Sequence, residues 1–366
     1  MRRLTSSTLL AALLLTQCSV RAADNPFRDP LDTPAVTLQG ALAPNQQPFL
    51  AVTLAGQRLV AVGLRGLIVL SDDGGNTWQQ AQVPVQSDLT AVQFLTPEQG
   101  WAVGHEGVIL HSGDGGLHWS KQFDGRAAAQ AFVGYYQQRI DAGDATLAPY
   151  LQQVELNVLA GPVLPFLSVY FDDAQNGYAV GSFGTLVRTV DGGKSWQPWL
   201  EHIDNPDFLN LNAIRKIGSE LYIAGERGSV FRLDRQQGRF VAVPTDYSGS
   251  FFGIVGNQHY ILAFGLSGNA YRSSNGGQTW QAVNTGVQSS LTAGTLADDG
   301  SLLLTTANGL LLRSTDDSRT FTILRTDTQM PFADIGKASV GHYALVGYQG
   351  VALQALPPTL NRATTE

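Results

Sequence analysis

Five side chains occupy one recurring chemical setting. Asp73, Asp114, Asp191, Asn275 and Asp316 each stand two residues after a Ser or Thr and five before an aromatic, namely Trp78, Trp119, Trp196, Trp280 and Phe321. In the first four a Gly-Gly pair follows at once. A carboxylate in a glycine-rich turn could act as a general acid, bind a cation or tie the turn together. Turn chemistry accounts for every position. Asp or Asn accepts backbone N–H groups inside the turn, and the Ser or Thr hydroxyl ties off the preceding strand. Gly75, Gly116, Gly193 and Gly277 supply positive φ without a Cβ penalty, and the aromatic is a large apolar wedge. These acidic groups are read as structural.

Other groups could carry chemistry. Glu is scarce, and only Glu106 and Glu226 fall in turns suited to a binding face. Paired carboxylates that hydrolyse glycosides stand roughly 5–9.5 Å apart. These two lie two repeat units apart, which argues against that pairing. His105, His111 and His118 cluster in one unit, but His105 belongs to one end of its strands while His111 and His118 flank the other. No set with the spacing of a metal site appears. The Gly pairs end strands rather than open helices, so no phosphate-binding loop is present. No catalytic residue, metal or cofactor is expected.

The elements that position these residues are repeats. A second motif precedes each turn: Gly100-Trp101-Ala102-Val103-Gly104 and Gly177-Tyr178-Ala179-Val180-Gly181 are near copies, with looser ones at 59–63, 221–225, 260–265, 302–306 and 343–347. Each reads as a strand, a two-residue turn and a second strand such as Val108-Ile109-Leu110. One more candidate strand lies before each, for example 89–95. The units number seven, and most aromatic-to-aromatic spacings are 40–44 residues. A four-stranded unit of about 40–45 residues is a propeller blade. The expected fold is all-β, a seven-bladed β-propeller over 35–358. The last unit has three strands before Pro357-Pro358. Its fourth is expected from the N-terminal segment Ala35–Leu42, closing the ring and removing an edge.

In each blade, strands A to D run in chain order from the inside out. The Asp-bearing C-to-D turns share one face with the A-to-B turns. The B-to-C turns share the other with the D-to-A crossovers. That second face carries Arg65, His105, Glu106, Phe183, Glu226, Arg227 and Tyr348. Arg and exposed aromatics are the residue types that anchor interfaces, although solvated turns would look the same. One crossover, about 124–165 between blades 2 and 3, is far longer than the rest. Phe132, Tyr136 and Ile140 at four-residue spacing predict one helix, and Leu147, Leu151, Val154 and Val158 a second. Long insertions in a regular repeat are commonly functional, so Phe132 and Tyr136 join the candidate docking residues.

The chain opens with Met1-Arg2-Arg3, an apolar stretch over 9–15 and small residues near Ala22. This reads as a signal peptide over 1–22, too short to span a bilayer. Residues 23–34 read as a linker and 359–366 as a tail. Cys18, the chain's single cysteine, follows a poor lipoprotein box with Gln at a position that prefers a small residue, so export without lipidation is expected. Losing Arg2, Arg3 and Arg21 takes Lys+Arg from 23 to 20 against 30 acidic groups, a net charge of −10. That argues against nucleic acid as a partner and against adhesion to anionic lipid by bulk charge. The protein is expected to be peripheral to a membrane at most.

The S-x-D-x-G-x-x-W turns resemble the Asp box of bacterial-neuraminidase-type repeats. That likeness raises sialidase chemistry, a carbohydrate-active or glycan-binding propeller, as the alternative function. Sialidases of this fold carry an early F/Y-R-I-P motif, which is absent. The G-W/Y-A-V-G strands, G-x-x-G turns and R-T/S-x-D-G-G-x-x-W boxes together resemble the photosystem II assembly and stability factor family over roughly residues 45–355. The resemblance implies an exported, non-enzymatic accessory or assembly factor that binds a membrane protein complex, in the periplasm, or in the thylakoid lumen if the source is photosynthetic. Photosynthetic members use an Arg-rich patch. Here Arg188, Arg232, Arg272 and Arg313 recur just before the box, where packing on aromatics explains them. The low Arg content and the helical insertion depart from the photosynthetic pattern, so a transporter or another membrane complex fits the client as well as a photosystem.

Overall fold

The computed structural model describes residues 28–38 and 43–357. The signal peptide over 1–22, Cys18, part of the linker and the tail over 359–366 lie outside the described residues.

Seven antiparallel sheets follow one another along the chain. Six have four strands in the order A-B-C-D. Blade 2 shows the pattern: Leu89–Phe94, Gly100–Gly104, Ile109–Ser112 and Ser120–Phe123. The B strands are buried along all but at most their first residue, and Gly177–Gly181 along its whole length. A strand covered on both faces reads as a continuous apolar run. The D strands span two to four residues, because the Asp-box turn consumes chain before them.

Cohesion lies between blades. Each neighbouring pair shares one apolar cluster, and most clusters are wedged by a box aromatic. Trp119 packs between blades 1 and 2, Trp196 between 2 and 3, and Trp280 between 4 and 5, while Phe240 of blade 4, which has no such box, fills the same place between 3 and 4. Phe321 serves blades 5 and 6, and Trp78 the junction of blades 7 and 1. Trp101 stacks on Phe171 of the next blade, ring centroids 3.6 Å apart. Every A strand slips register near its start, for example between Leu89 and Ala91 or Leu211 and Ala213. Such a bulge re-aims side chains: the Thr90 hydroxyl reaches Phe166 O (2.6 Å) and Asn212 Nδ2 reaches Phe251 O (2.7 Å), each on the following blade.

The closing junction of the ring lies between blades 7 and 1. Among the described residues blade 7 has three strands, Phe332–Ser339, His342–Gly347 and Gly350–Ala355. Closure rests on Phe49, Val52 and Leu59 of blade 1 packing with Ala338, Ala344 and Val346 of blade 7. Of the expected closing segment 35–42, residues 35–38 add no strand there. Residues 39–42 are outside the described set, and 35–38 run along blade 1: Ala35 N–H donates to Val83 O, and Leu38 N–H to Gln80 Oε1. This path buries Leu31 and packs Leu38 against the closing cluster. The part of the linker that is described is accordingly packed: Leu31 is 2% exposed and Asp32 pairs with Arg126.

The insertion forms two helices, α1 (Gly125–Asp141) and α2 (Ala148–Val158). Asp124 caps α1, accepting the N–H groups of Arg126 and Ala127 at 3.0 Å each, which satisfies two of the helix's orphan donors.

Candidate docking face

The B-to-C turns are built alike. In blades 1 to 5 the chain makes two successive residues of positive φ, the second a glycine: Arg65-Gly66, Glu106-Gly107, Phe183-Gly184, Arg227-Gly228 and Ser267-Gly268. Gly66 shows why the second must lack a Cβ. Its φ is +71°, and a Cβ there would fall 2.0 Å from Val85 O. In three of the five turns the residue before the next blade's A strand then pins the turn. Asp88 Oδ1 accepts the Arg65 N–H (2.7 Å), Asn210 Oδ1 accepts the Phe183 N–H (2.6 Å), and Ser290 Oγ accepts the Ser267 N–H (3.3 Å). These bonds join B-to-C turns to D-to-A crossovers and set both on one face.

Most of the sequence-predicted residues gather there. Phe183 is 54% and Tyr348 63% exposed. Arg65 is exposed and pairs with no carboxylate among the described residues, while Arg227 makes a solvent-exposed pair with Asp207 (3.3 Å). His105 and Glu106 are half-buried. Glu226 turns inward, its carboxylate accepting the Asn210 N–H at 2.9 Å, so it braces the face.

Phe132 and Tyr136 do not belong to an exposed surface. They are 5% and 0% exposed, in one cluster with Phe123, Phe166 and Leu200. Their four-residue spacing marks the side of α1 that packs on blades 2 and 3. Tyr136 also enters a buried polar knot around Glu201. Its hydroxyl donates to Glu201 Oε2 (2.6 Å) and accepts the Leu200 N–H (3.2 Å), and Arg139 Nη1 donates to Glu201 Oε1 (2.5 Å). Burial, then the Glu201 charge, push the Tyr136 phenol far above its ordinary range, so it stays a donor.

Sequence reasoning missed what the hairpin exposes. Leu156 (57%), Leu159 (82%) and Val163 (49%) lie at the end of α2 and in the return to blade 3, the blade that carries Phe183. The signal was available by subtraction: Leu156 and Leu159 fall off the stripe of Leu147 and Val154, which is buried. The other large exposed apolar groups, such as Val340, Val190 and Ile323, stand singly elsewhere on the ring.

The Asp boxes sit on the opposite face and are saturated with turn bonds. Asp191 Oδ1 accepts the Ser195 N–H (2.9 Å) and the Thr189 hydroxyl (2.8 Å), and Oδ2 the Ser195 hydroxyl (2.6 Å). Asp73, Asp114, Asn275 and Asp316 repeat the pattern. The Thr77 hydroxyl and amide lower the Asp73 carboxyl to about 2. The arginines before the boxes divide. Arg188 lies over Tyr178 and Trp199, and Arg272 over Tyr260, whereas Arg313 is buried against Asp299 and Ser301.

This arrangement sits within a known group. The model of the family described as photosynthesis system II assembly factor YCF48 matches residues 49–133 and 145–358. The chain belongs to that family. The match leaves out 134–144, the distal part of the helical hairpin. A curated relative, the photosystem II assembly lipoprotein Ycf48 of Synechococcus sp. (strain CC9902), is 28% identical over 151 residues, 38% of this chain and 42% of that protein. The chain thus aligns with less than half of that relative's length. Among solved structures, YCF48 bound to D1 peptide is similar with a TM-score of 0.63 at 15% identity, covering 89% of this chain and 100% of that one. YCF48 from Cyanidioschyzon merolae gives 0.63 at 17%, covering 86% and 98%. At these identities the structural likeness shows the fold. Among the described residues no helix is long and apolar enough to cross a membrane.

Proposed function

We propose that this protein is a non-enzymatic assembly or scaffold factor that docks on a membrane protein complex from the exported side of the membrane. The docking surface is the B-to-C face together with the outer end of the hairpin. One observation carries the reading: Phe183 and Tyr348 on the B-to-C turns, and Leu156, Leu159 and Val163 on the hairpin's return to blade 3, are all exposed, as is Arg65 on the same face, and aromatic and Arg side chains are the types that anchor an interface. Family membership supports the client class, since one solved relative is a YCF48 bound to D1 peptide. The client here is a photosystem-like complex or another membrane complex such as a transporter. The N-terminal leader over 1–22 supports export to the periplasm, or to the thylakoid lumen in a photosynthetic source.

The test is a pull-down from detergent-solubilised membranes of the source, comparing the mature chain with an Arg65→Ala/Phe183→Ala/Arg227→Ala variant. All three side chains are exposed, so the variant should fold and melt as the parent does. Loss of the membrane complex from the variant is expected. Retention of every partner at parental yield overturns the assignment of this face.

A further inference from the structure

The seven A strands wall a central cavity of about 520 Å³, within the usual size range of small-molecule sites. Four charged residues line it: Arg215, Lys216, Asp334 and Lys337. Two are already paired, Lys216 with Asp172 and Lys337 with Asp298. The other two form no ion pair among the described residues. Arg215 belongs to blade 4 and Asp334 to blade 7, three blades apart in a ring of seven, so they face each other across the opening.

Each is held in a fixed pose with bonding capacity left over. Arg215 Nη1 donates to Ser168 Oγ and to Ile214 O, both at 2.9 Å. A guanidinium has five N–H donors, so the Nε–Nη2 edge, the side that grips a carboxylate in a two-pronged fashion, has no protein partner among the described residues. Asp334 Oδ2 accepts the Val52 N–H (3.0 Å) and Oδ1 its neighbour Ile335 N–H (2.8 Å), which leaves a lone pair on each oxygen. Leu50, Leu167 and Phe252, each the second residue of its A strand, add apolar surface at one end of the same cavity.

We propose that the central channel binds a small zwitterion of the ω-amino acid class, with its carboxylate on Arg215, its ammonium on Asp334 and its methylene spacer crossing the channel between them. Without such a ligand each charge has, among the described residues, only the other, across the channel, to oppose it. Burial raises the Asp334 carboxyl to about 6, only partly opposed by the Val52 N–H and Arg215. Arg215 is exposed within the enclosing ring, so a ligand arriving through the channel can reach it. Its two charged anchors belong to the A strands and not to the docking turns, so its test needs no client.

The test is calorimetric titration of the whole mature chain with γ-aminobutyrate, ε-aminohexanoate and ω-aminooctanoate, alongside hexanoate and hexylamine. At least one ω-amino acid is expected to bind. Deleting either charge from the ligand is expected to weaken binding by about ten- to a hundredfold, the scale of one hydrogen-bonded charge contact. Arg215→Gln and Asp334→Asn should produce the same loss, and Asn retains an acceptor for the Val52 N–H. The comparison of ligands on the unmodified protein stands even if a variant folds poorly. No binding of any ω-amino acid, or equal binding of hexanoate, hexylamine and ε-aminohexanoate, overturns the proposal.

Discussion

Changing Tyr136 to Phe removes a single oxygen from the seam between the helical hairpin and the ring. That oxygen serves two partners at once, donating to Glu201 Oε2 at 2.6 Å and accepting the buried Leu200 N–H at 3.2 Å. The Phe ring would fill the same apolar site among Phe132, Leu147 and Val154, so the perturbation is the polar contact alone. A buried donor or acceptor stripped of its partner costs about 1–3 kcal/mol. Arg139 and Tyr135 still reach Glu201 Oε1, which keeps the carboxylate partly satisfied and sets the expectation inside that range. Docking of the hairpin should weaken by a factor of about 5 to 150.

Hydrogen exchange can read this effect locally. Amides of α1 and α2 should exchange faster by that factor, while those of blades 5 and 6, on the far side of the ring, keep the parental rate. Tyr135→Phe is the control. Tyr135 is only half-buried and its hydroxyl stands 3.3 Å from Glu201 Oε1, so its loss should be the milder of the two. Unchanged exchange over 125–158 would refute the reasoning. So would an equal rise in every blade, since the hairpin would then have no opening of its own. Because Leu156 and Leu159 ride on α2, Tyr136→Phe should also weaken client binding without touching the interface.

Three further outcomes are expected. Asp191→Ala should destabilise the ring by about 1 kcal/mol, as loss of a capping side chain does, while Asp191→Asn stays near parental in thermal melts, because Asn275 fills the same role in blade 5 with Oδ1 bonded to Thr279 N–H. The pH dependence should carry two opposite signs. The Asp73 carboxyl is lowered to about 2 by the Thr77 hydroxyl and amide, so its contribution is present above about pH 4 and lost as pH falls towards 2. The Asp334 carboxyl is raised to about 6 by burial, so the folded state holds the proton more tightly and its ionisation costs stability as pH rises from about 4 to 6. Denaturant melts of Asp334→Asn should therefore gain on the parent over that window, by at most about 3 kcal/mol for two pKa units and by less where channel water screens the charge. Last, Arg65→Asn should leave the ring at least as stable as the parent while weakening the client pull-down; a loss of stability beyond about 1 kcal/mol would contradict the strain assigned to that turn.

Much of this architecture could be read from local chemistry. An Asp box is specified within a few residues, so its bonds, its face and its aromatic wedge follow from the sequence alone. The hairpin's position and helicity followed from periodicity, but not which way its aromatic stripe faced. Phe132 and Tyr136 looked available because an insertion was expected to present its aromatics, whereas an amphipathic helix on a ring buries that stripe first. The path of the N-terminal segment was not legible either. It depends on where Leu31 and Leu38 find apolar cover, which only the assembled ring sets. Glu201 gave no signal, since its partners Tyr136 and Arg139 lie more than sixty residues away in the chain. Arg215 and Asp334 sit in strands that otherwise read as ordinary blade interior, and only closure of the ring brings them to face one cavity.

The turns of the docking face add a constraint that composition does not reveal. Arg65, Glu106, Phe183, Arg227 and Ser267 all have φ between 50° and 56°, a region that costs a residue with a Cβ roughly 1–2 kcal/mol. A two-residue turn with both φ values positive is satisfied best by Asn-Gly. Blades 1 to 5 keep the Gly and decline the Asn. The one box that departs from Gly-Gly, with Asp317 and Ser318 at φ 58° and 62°, puts the same strain on the opposite face, so strain alone does not mark a docking residue. What separates the two cases is where the side chains go. Ser318 is fully buried, and its N–H is tied to Ser314 Oγ at 3.0 Å, whereas Arg65, Phe183 and Arg227 project into solvent. A backbone conformation held at a cost, carrying side chains that return nothing to the folded monomer, is the pattern expected of a surface whose contacts lie with another molecule.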